Sequence, residues 1–139
     1  IEAIGEYAGS TWFDDSKATS PHAALTAVRA FDRLVLIAGG RNKGLDLSEL
    51  AAEPRRMAGV VAIGDDGPLV AAAFDGICPV LTAGSMDAAV AAAASLATPG
   101  DAVVLSPGCT SYDWYANYNE RGDDFQRAVR DHFAGGEQQ

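Results

Sequence analysis

The chain has 139 residues, 48% of them hydrophobic and 21% charged, which suits one globular domain with a real core. Its net charge of −9 and pI of about 4.4 argue against a general nucleic-acid binder, because neutralising phosphates takes a basic face. No run approaches the roughly 18 apolar residues of a membrane span, no signal peptide is visible, and Cys78 and Cys109 show neither disulfide-scaffold nor metal spacing, so a reduced, cytoplasmic chain that binds no membrane is expected.

Ile1–Tyr7 and Thr11–Asp14 read as two short strands joined through Ala8-Gly9-Ser10. The chain starts inside the first of them, which reads as a fragment or an excised domain. Ser20-Pro21 is a helix start, a hydroxyl cap followed by proline at the first helical position. Ala23, Ala24, Ala27, Val28 and Phe31 then fall at helical spacing. Arg33–Ala38 (RLVLIA) is the continuous apolar run of a strand buried on both faces. Leu47–Met57 reads as a shorter helical segment, with Pro54 a break. Gly59–Ile63 is the next strand, and a short alanine-rich helix follows to Phe74. Pro79–Thr82 is a brief strand, Ser85–Ala97 a helix capped by Ser85, and Asp101–Leu105 the last strand. The final helix is expected over Asp123–Phe133, with a frayed tail at 135–139. This alternation predicts an α/β domain with a Rossmann-like, mostly parallel sheet and helices on both faces.

Ligand sites in such sheets lie beyond the carboxyl ends of the strands. Three loops there carry unusual chemistry. Asp14-Asp15-Ser16-Lys17-Ala18-Thr19 offers a cation, carboxylates and hydroxyls beside a helix N-terminus, where an anion is favoured. The same residues also suit a solvated helix entry. Gly39-Gly40-Arg41-Asn42-Lys43-Gly44 supplies bases in an acidic chain, and glycines that let backbone approach a ligand. It matches neither the GxxxxGK[ST] nor the GxGxxG pattern, and a plain surface turn reads equally well. Ser106-Pro107-Gly108-Cys109-Thr110-Ser111 can offer backbone N–H groups to a carboxylate. Tyr112, Trp114, Tyr115 and Tyr118 follow it, and at least two of these four are expected to be core. Asp65-Asp66 reads as a polar turn rather than a metal pair, and no metal site is expected. Glu120–Asp124, interrupted by Arg121, reads as a solvated helix start.

Taken together, in order and spacing, the three loops and Asn117-Tyr118-Asn119-Glu120-Arg121-Gly122-Asp123-Asp124-Phe125 are more specific than any one of them. The chain resembles the C-terminal domain of a Mur ligase over essentially its whole length. Within that family it is most similar to the branch that adds D-glutamate to UDP-N-acetylmuramoyl-L-alanine in peptidoglycan biosynthesis. The resemblance implies residues 1–134 as the amino-acid-binding domain of an ATP-dependent amide ligase working through an acyl phosphate, with Mg²⁺ held mostly by a central ATPase domain. That domain and an N-terminal UDP-binding domain are absent from this chain, so it should be inactive alone.

Carried over by position, the resemblance implies Lys17 as catalytic. It gives Lys17, Thr19, Lys43, Ser111, Tyr112 and Tyr118 to D-glutamate, and Asp15 with Lys17 to ATP. Ser20, Gly108, Thr110 and Tyr118 depart mildly from the family pattern. Another ligase of the Mur or folylpolyglutamate type, and a non-catalytic α/β binding module, stay open as readings. A monomer is expected.

Overall fold

The structure is a computed structural model that describes residues 1–136. Its six strands are β1 (Glu2–Tyr7), β2 (Ser10–Asp14), β3 (Leu34–Gly39), β4 (Met57–Ile63), β5 (Val80–Ala83) and β6 (Ala102–Leu105). They form one sheet in the order β1-β2-β6-β3-β4-β5. Only β1 runs antiparallel to its neighbour, in a hairpin whose turn residues Ala8 and Gly9 both take positive φ (52° and 84°), as a tight hairpin with right-handed twist favours. The other pairings are parallel. Four helices cover the sheet: α1 (Pro21–Val28), α2 (Gly67–Ala73), α3 (Met86–Leu96) and α4 (Tyr118–Gly136).

Strand alternation sorts the core into two layers. Val35, Ile37, Val61, Ile63, Val103 and Leu105 point to the face covered by α3 and α4. Leu34, Leu36, Ala38, Val60, Ala62 and Val104 point to the face covered by α1 and α2. This is the doubly covered sheet expected from the apolar runs. Each wholly buried valine, leucine or isoleucine among them contributes about 1.5–3 kcal/mol of transfer free energy.

Two elements differ from expectation. Leu47–Met57 is not one helical segment but two short 3-10 turns, Leu47–Ala51 and Pro54–Arg56, and Met57 already belongs to β4. The break falls just before Pro54, as expected, and Pro54, which has no N–H to donate, opens the second turn. The last helix starts five residues earlier than Asp123, at Tyr118, and carries Gly122 inside its first turns. It also takes in Gly135 and Gly136, so two residues of the expected tail are helical, and 137–139 lie outside the described residues.

Connectivity fixes where a ligand can sit. From β3 the chain winds outward to β4 and β5, then returns through α3 to β6, between β2 and β3. The carboxyl ends of β2, β6 and β3 therefore lie side by side at the point where the winding reverses, the usual crevice of such sheets.

Candidate functional site

The loops leaving β2, β3 and β6 are the three singled out above, and hydrogen bonds lace them together. The Asp15 N–H donates to the Leu105 carbonyl at 2.8 Å, and the Gly108 N–H to that of Ala18 at 2.9 Å. The Ser106 hydroxyl donates to Asp15 Oδ2 at 2.8 Å. Across the other side, Gly39 N–H reaches the Pro107 carbonyl at 2.9 Å, and Arg41 and Thr110 exchange N–H···O bonds at 3.0 Å. The Gly40 φ of 129° allows this crossing, and a Cβ at Gly40 would stand 2.3 Å from the Thr110 carbonyl oxygen.

Lys17 sits between two depressions. It lines a cavity of about 280 Å³ with Asp14, Ser16, Tyr118 and Asp123. It also borders a groove of about 500 Å³ with Asp15, Ala18 and His22, alongside α1. The structure thus brings Lys17 together with Tyr118 on one side and Asp15 on the other. Thr19, Lys43, Ser111 and Tyr112 line neither space, although their loops are bonded to the first. Thr19 is half-buried just before Ser20, and Ser20 rather than Thr19 caps α1 through the Ala23 N–H. Ser111 is buried, and its carbonyl accepts the Trp114 and Tyr115 N–H groups. Tyr112 and Tyr118 are exposed. Trp114 and Tyr115 are half-buried and pack against the core beside α3 and α4, the packing role expected of at least two of the four aromatics.

Lys17 and Lys43 are the only lysines in the sequence. Both are exposed, and neither pairs with a carboxylate among the described residues. Five of the eight arginines, by contrast, sit in ion pairs: Arg29, Arg33, Arg41, Arg56 and Arg127. An acidic chain has therefore left its two lysines unpaired among the described residues, on loops either side of the β6 loop.

Sequence reasoning misread one group that builds the site, Arg121, and gave no separate role to another, Asp14 of the first loop. Arg121, read as part of a solvated helix start, is only 2% exposed. It donates through Nε to Ser16 Oγ (2.9 Å), through Nη2 to the Ser16 carbonyl (2.7 Å) and through Nη1 to the Cys109 carbonyl (3.1 Å). Burial pushes its pKa down to about 10, with Asp113 acting against that shift, so it stays charged at neutral pH. Asp14 accepts the Ser16 N–H at 3.0 Å and the Gln126 side-chain amide at 2.8 Å. A Cβ at Gly122 would stand 2.7 Å from this carboxylate. The signal available was Gly122 itself, since glycine in a helix costs about 1 kcal/mol and marks a close approach.

Cys109 is not placed to react. Burial, then the charge of Asp66, pushes its thiol up to about 12, leaving almost no thiolate at neutral pH. Among the described residues no group of three or more His, Cys, Asp or Glu could hold a metal ion. No helix among them is long and apolar enough to cross a membrane. What the arrangement offers is recognition: exposed cations and nearby N–H donors over a cross-bonded floor suit a small anion with more than one carboxylate.

Residues 1–109 match the family described as Mur ligase, glutamate ligase domain. Among the most similar curated proteins, the UDP-N-acetylmuramoylalanine–D-glutamate ligase of Streptomyces avermitilis is 43% identical over 139 residues, covering 94% of this chain and 30% of the relative. The protein of the same name from Myxococcus xanthus is 42% identical, covering 93% of this chain and 29% of the relative. The chain thus spans about 30% of the length of these relatives. A solved domain, described as coming from a UDP-N-acetylmuramate:L-alanyl-γ-D-glutamyl-meso-diaminopimelate ligase of Haemophilus ducreyi, superposes with a TM-score of 0.60. It covers 93% of this chain at 18% identity, and is itself covered to 98%, which supports the fold.

Proposed function

The chain belongs to the Mur ligase family, as its glutamate ligase domain, and from that premise we propose that it is the amino-acid-binding domain of an ATP-dependent ligase joining D-glutamate to UDP-N-acetylmuramoyl-L-alanine. The observation that carries this reading is the pair of unpaired lysines on two loops at the carboxyl end of the sheet, either side of the β6 loop, in a chain of net charge −9. D-Glutamate brings two carboxylates and one amine. Lys43, with the N–H groups and hydroxyl around Ser111 and Tyr112, takes carboxylate. Thr19 and Tyr118 complete the amino-acid site, and Lys17 stands where amino acid and transferred phosphate meet.

ATP supplies the phosphoryl group that activates the nucleotide substrate's carboxylate as an acyl phosphate. Asp15 and Lys17, which border one groove, fit the ribose and phosphate edge of a nucleotide. On this reading Mg²⁺ accompanies the ATP and is held mostly by another part of the complete ligase. This domain's contribution is to hold the amine against the acyl carbon and the charge beside it, a positional effect able to supply a large part of a barrier reduction. The work belongs in the cytoplasm, where the nucleotide substrates are, and in cell-wall construction.

The test is kinetic, in the complete ligase that carries this domain. Lys43→Ala and Lys17→Ala should each lower kcat/KM about 10- to 150-fold, since a hydrogen bond to a charged group is worth about 1.5–3 kcal/mol. The loss in Lys43→Ala should fall mainly on KM for D-glutamate. Unchanged kcat/KM in both variants, or turnover with L-alanine but not D-glutamate, would defeat the reading.

A further inference from the structure

Resting on the D-glutamate reading above, we propose that Asp66 is a positioning residue for the amino-acid site, holding the Lys43 loop in shape before substrate arrives. Asp66 immediately precedes α2, where an aspartate ordinarily caps the helix. It does not do so here. Its backbone (φ −98°, ψ 16°) lies outside the extended region of a capping residue, and its side chain makes no bond to the helix. Ser20 and Ser85 show the contrast: both are extended, and each accepts an N–H from its helix.

The Asp66 carboxylate reaches the second loop instead. Its Oδ2 accepts the Asn42 N–H at 2.6 Å, a charge-assisted bond between residues 24 apart. Its own N–H donates to the Gly40 carbonyl at 2.9 Å. Asp66 thus grips the chain on both sides of Arg41, the residue that pairs with Thr110 of the third loop. Asn42 then closes the loop forward. Its amide donates to the Leu45 carbonyl at 2.7 Å, and its Oδ1 accepts the Leu45 N–H at 3.2 Å.

Lys43 and Gly44, the latter at φ 80°, remain as a two-residue tip on this frame. The backbone carrying Lys43 is therefore ordered without ligand, which spares binding the entropy of ordering it. Asp66 acts through Lys43 and touches no substrate itself. A predicted polar turn becomes the brace of the site.

The experiment compares variants in the complete ligase, with D-glutamate and ATP varied separately. Asp66→Ala and Asp66→Ser, neither able to reach Asn42, should raise KM for D-glutamate about 5- to 30-fold, a part of the roughly 10- to 150-fold of a lost charge-assisted bond because Asp66 acts only through the Lys43 loop. Their kcat and KM for ATP should stay within about twofold. Asp66→Asn keeps an acceptor oxygen in place and should stay within about threefold of the parent. If Asp66→Ala does not fold, the serine and asparagine variants carry the same comparison. Parental KM in the alanine and serine variants, equal damage in the asparagine variant, or a matching rise in KM for ATP each overturns the proposal, while Lys43→Ala still raises KM for D-glutamate. If Lys43→Ala leaves that KM unchanged, the D-glutamate reading itself falls and the proposal with it.

Discussion

Arg121 carries more of the site than any other single side chain. Its three bonds to Ser16 and to the Cys109 carbonyl join the loop after β2 to the loop after β6. Replacing it with alanine leaves two buried carbonyls without their donors, at about 1–3 kcal/mol each, and opens a cavity. The charge itself is costly to bury, as its lowered pKa records, and that offsets part of the loss. Arg121→Ala should therefore lose about 2–4 kcal/mol of stability in urea denaturation. Arg121→Lys should recover little of it, because one ammonium cannot span three acceptors set out for a planar fork. A lysine variant as stable as the parent would mean the fork geometry is irrelevant. This role was not legible in the sequence. An arginine between Glu120 and Asp123 has the local pattern of a solvated helix start, and only the return of β6 between β2 and β3 buries it. Lys17 and Lys43 were legible for the opposite reason: rare cations at strand-to-loop boundaries need no tertiary contact to be noticed.

At the level of elements, the end of β3 is where backbone chemistry decides the site. Gly39 and Gly40 take φ values of 132° and 129°, which side chains rarely adopt. A Cβ at Gly40 would meet the Thr110 carbonyl at 2.3 Å, and that atom is backbone, held by the pairing with Arg41. Gly40→Ala should cost about 2–3 kcal/mol, the strain of a forbidden φ with the clash added. It should also break the Arg41–Thr110 pairing, read as faster amide exchange at both positions than in the parent. Unchanged exchange at Arg41 and Thr110 would show that the crossing does not depend on glycine. The double glycine and the buried run before it were both visible in sequence, and so were the caps at Ser20 and Ser85. The segment 47–57 was legible only in its break at Pro54. Its apolar spacing fits a helix, but Pro54 leaves too few residues on either side to repay the cost of starting one. The early start of α4 was hidden by Gly122, which looks like a boundary until the Asp14 carboxylate beside it is seen.

For the whole molecule, local patterns gave the alternation of strands and helices but not their order in the sheet. That order rests on the return through α3, a long-range packing choice no local window contains. It places two unpaired lysines in the field of a domain with net charge −9, and the two effects oppose each other for an anionic ligand. Their ranges differ. The domain's radius of gyration is about 14 Å, whereas a lysine–carboxylate contact is under about 4 Å. Screening length falls from about 30 Å at 0.01 M salt to about 10 Å at 0.1 M and about 3 Å at 1 M. Moderate salt therefore removes the global repulsion first and leaves the contacts largely intact, and high salt reaches the contacts as well. D-Glutamate titrated into this chain and followed by NMR should bind more tightly at 0.1 M than at 0.01 M, and more weakly again at 1 M. Steady weakening from the lowest salt would show that the lysines dominate at every range. Affinity that 1 M salt leaves untouched would mean that no ion pair forms with the two lysines.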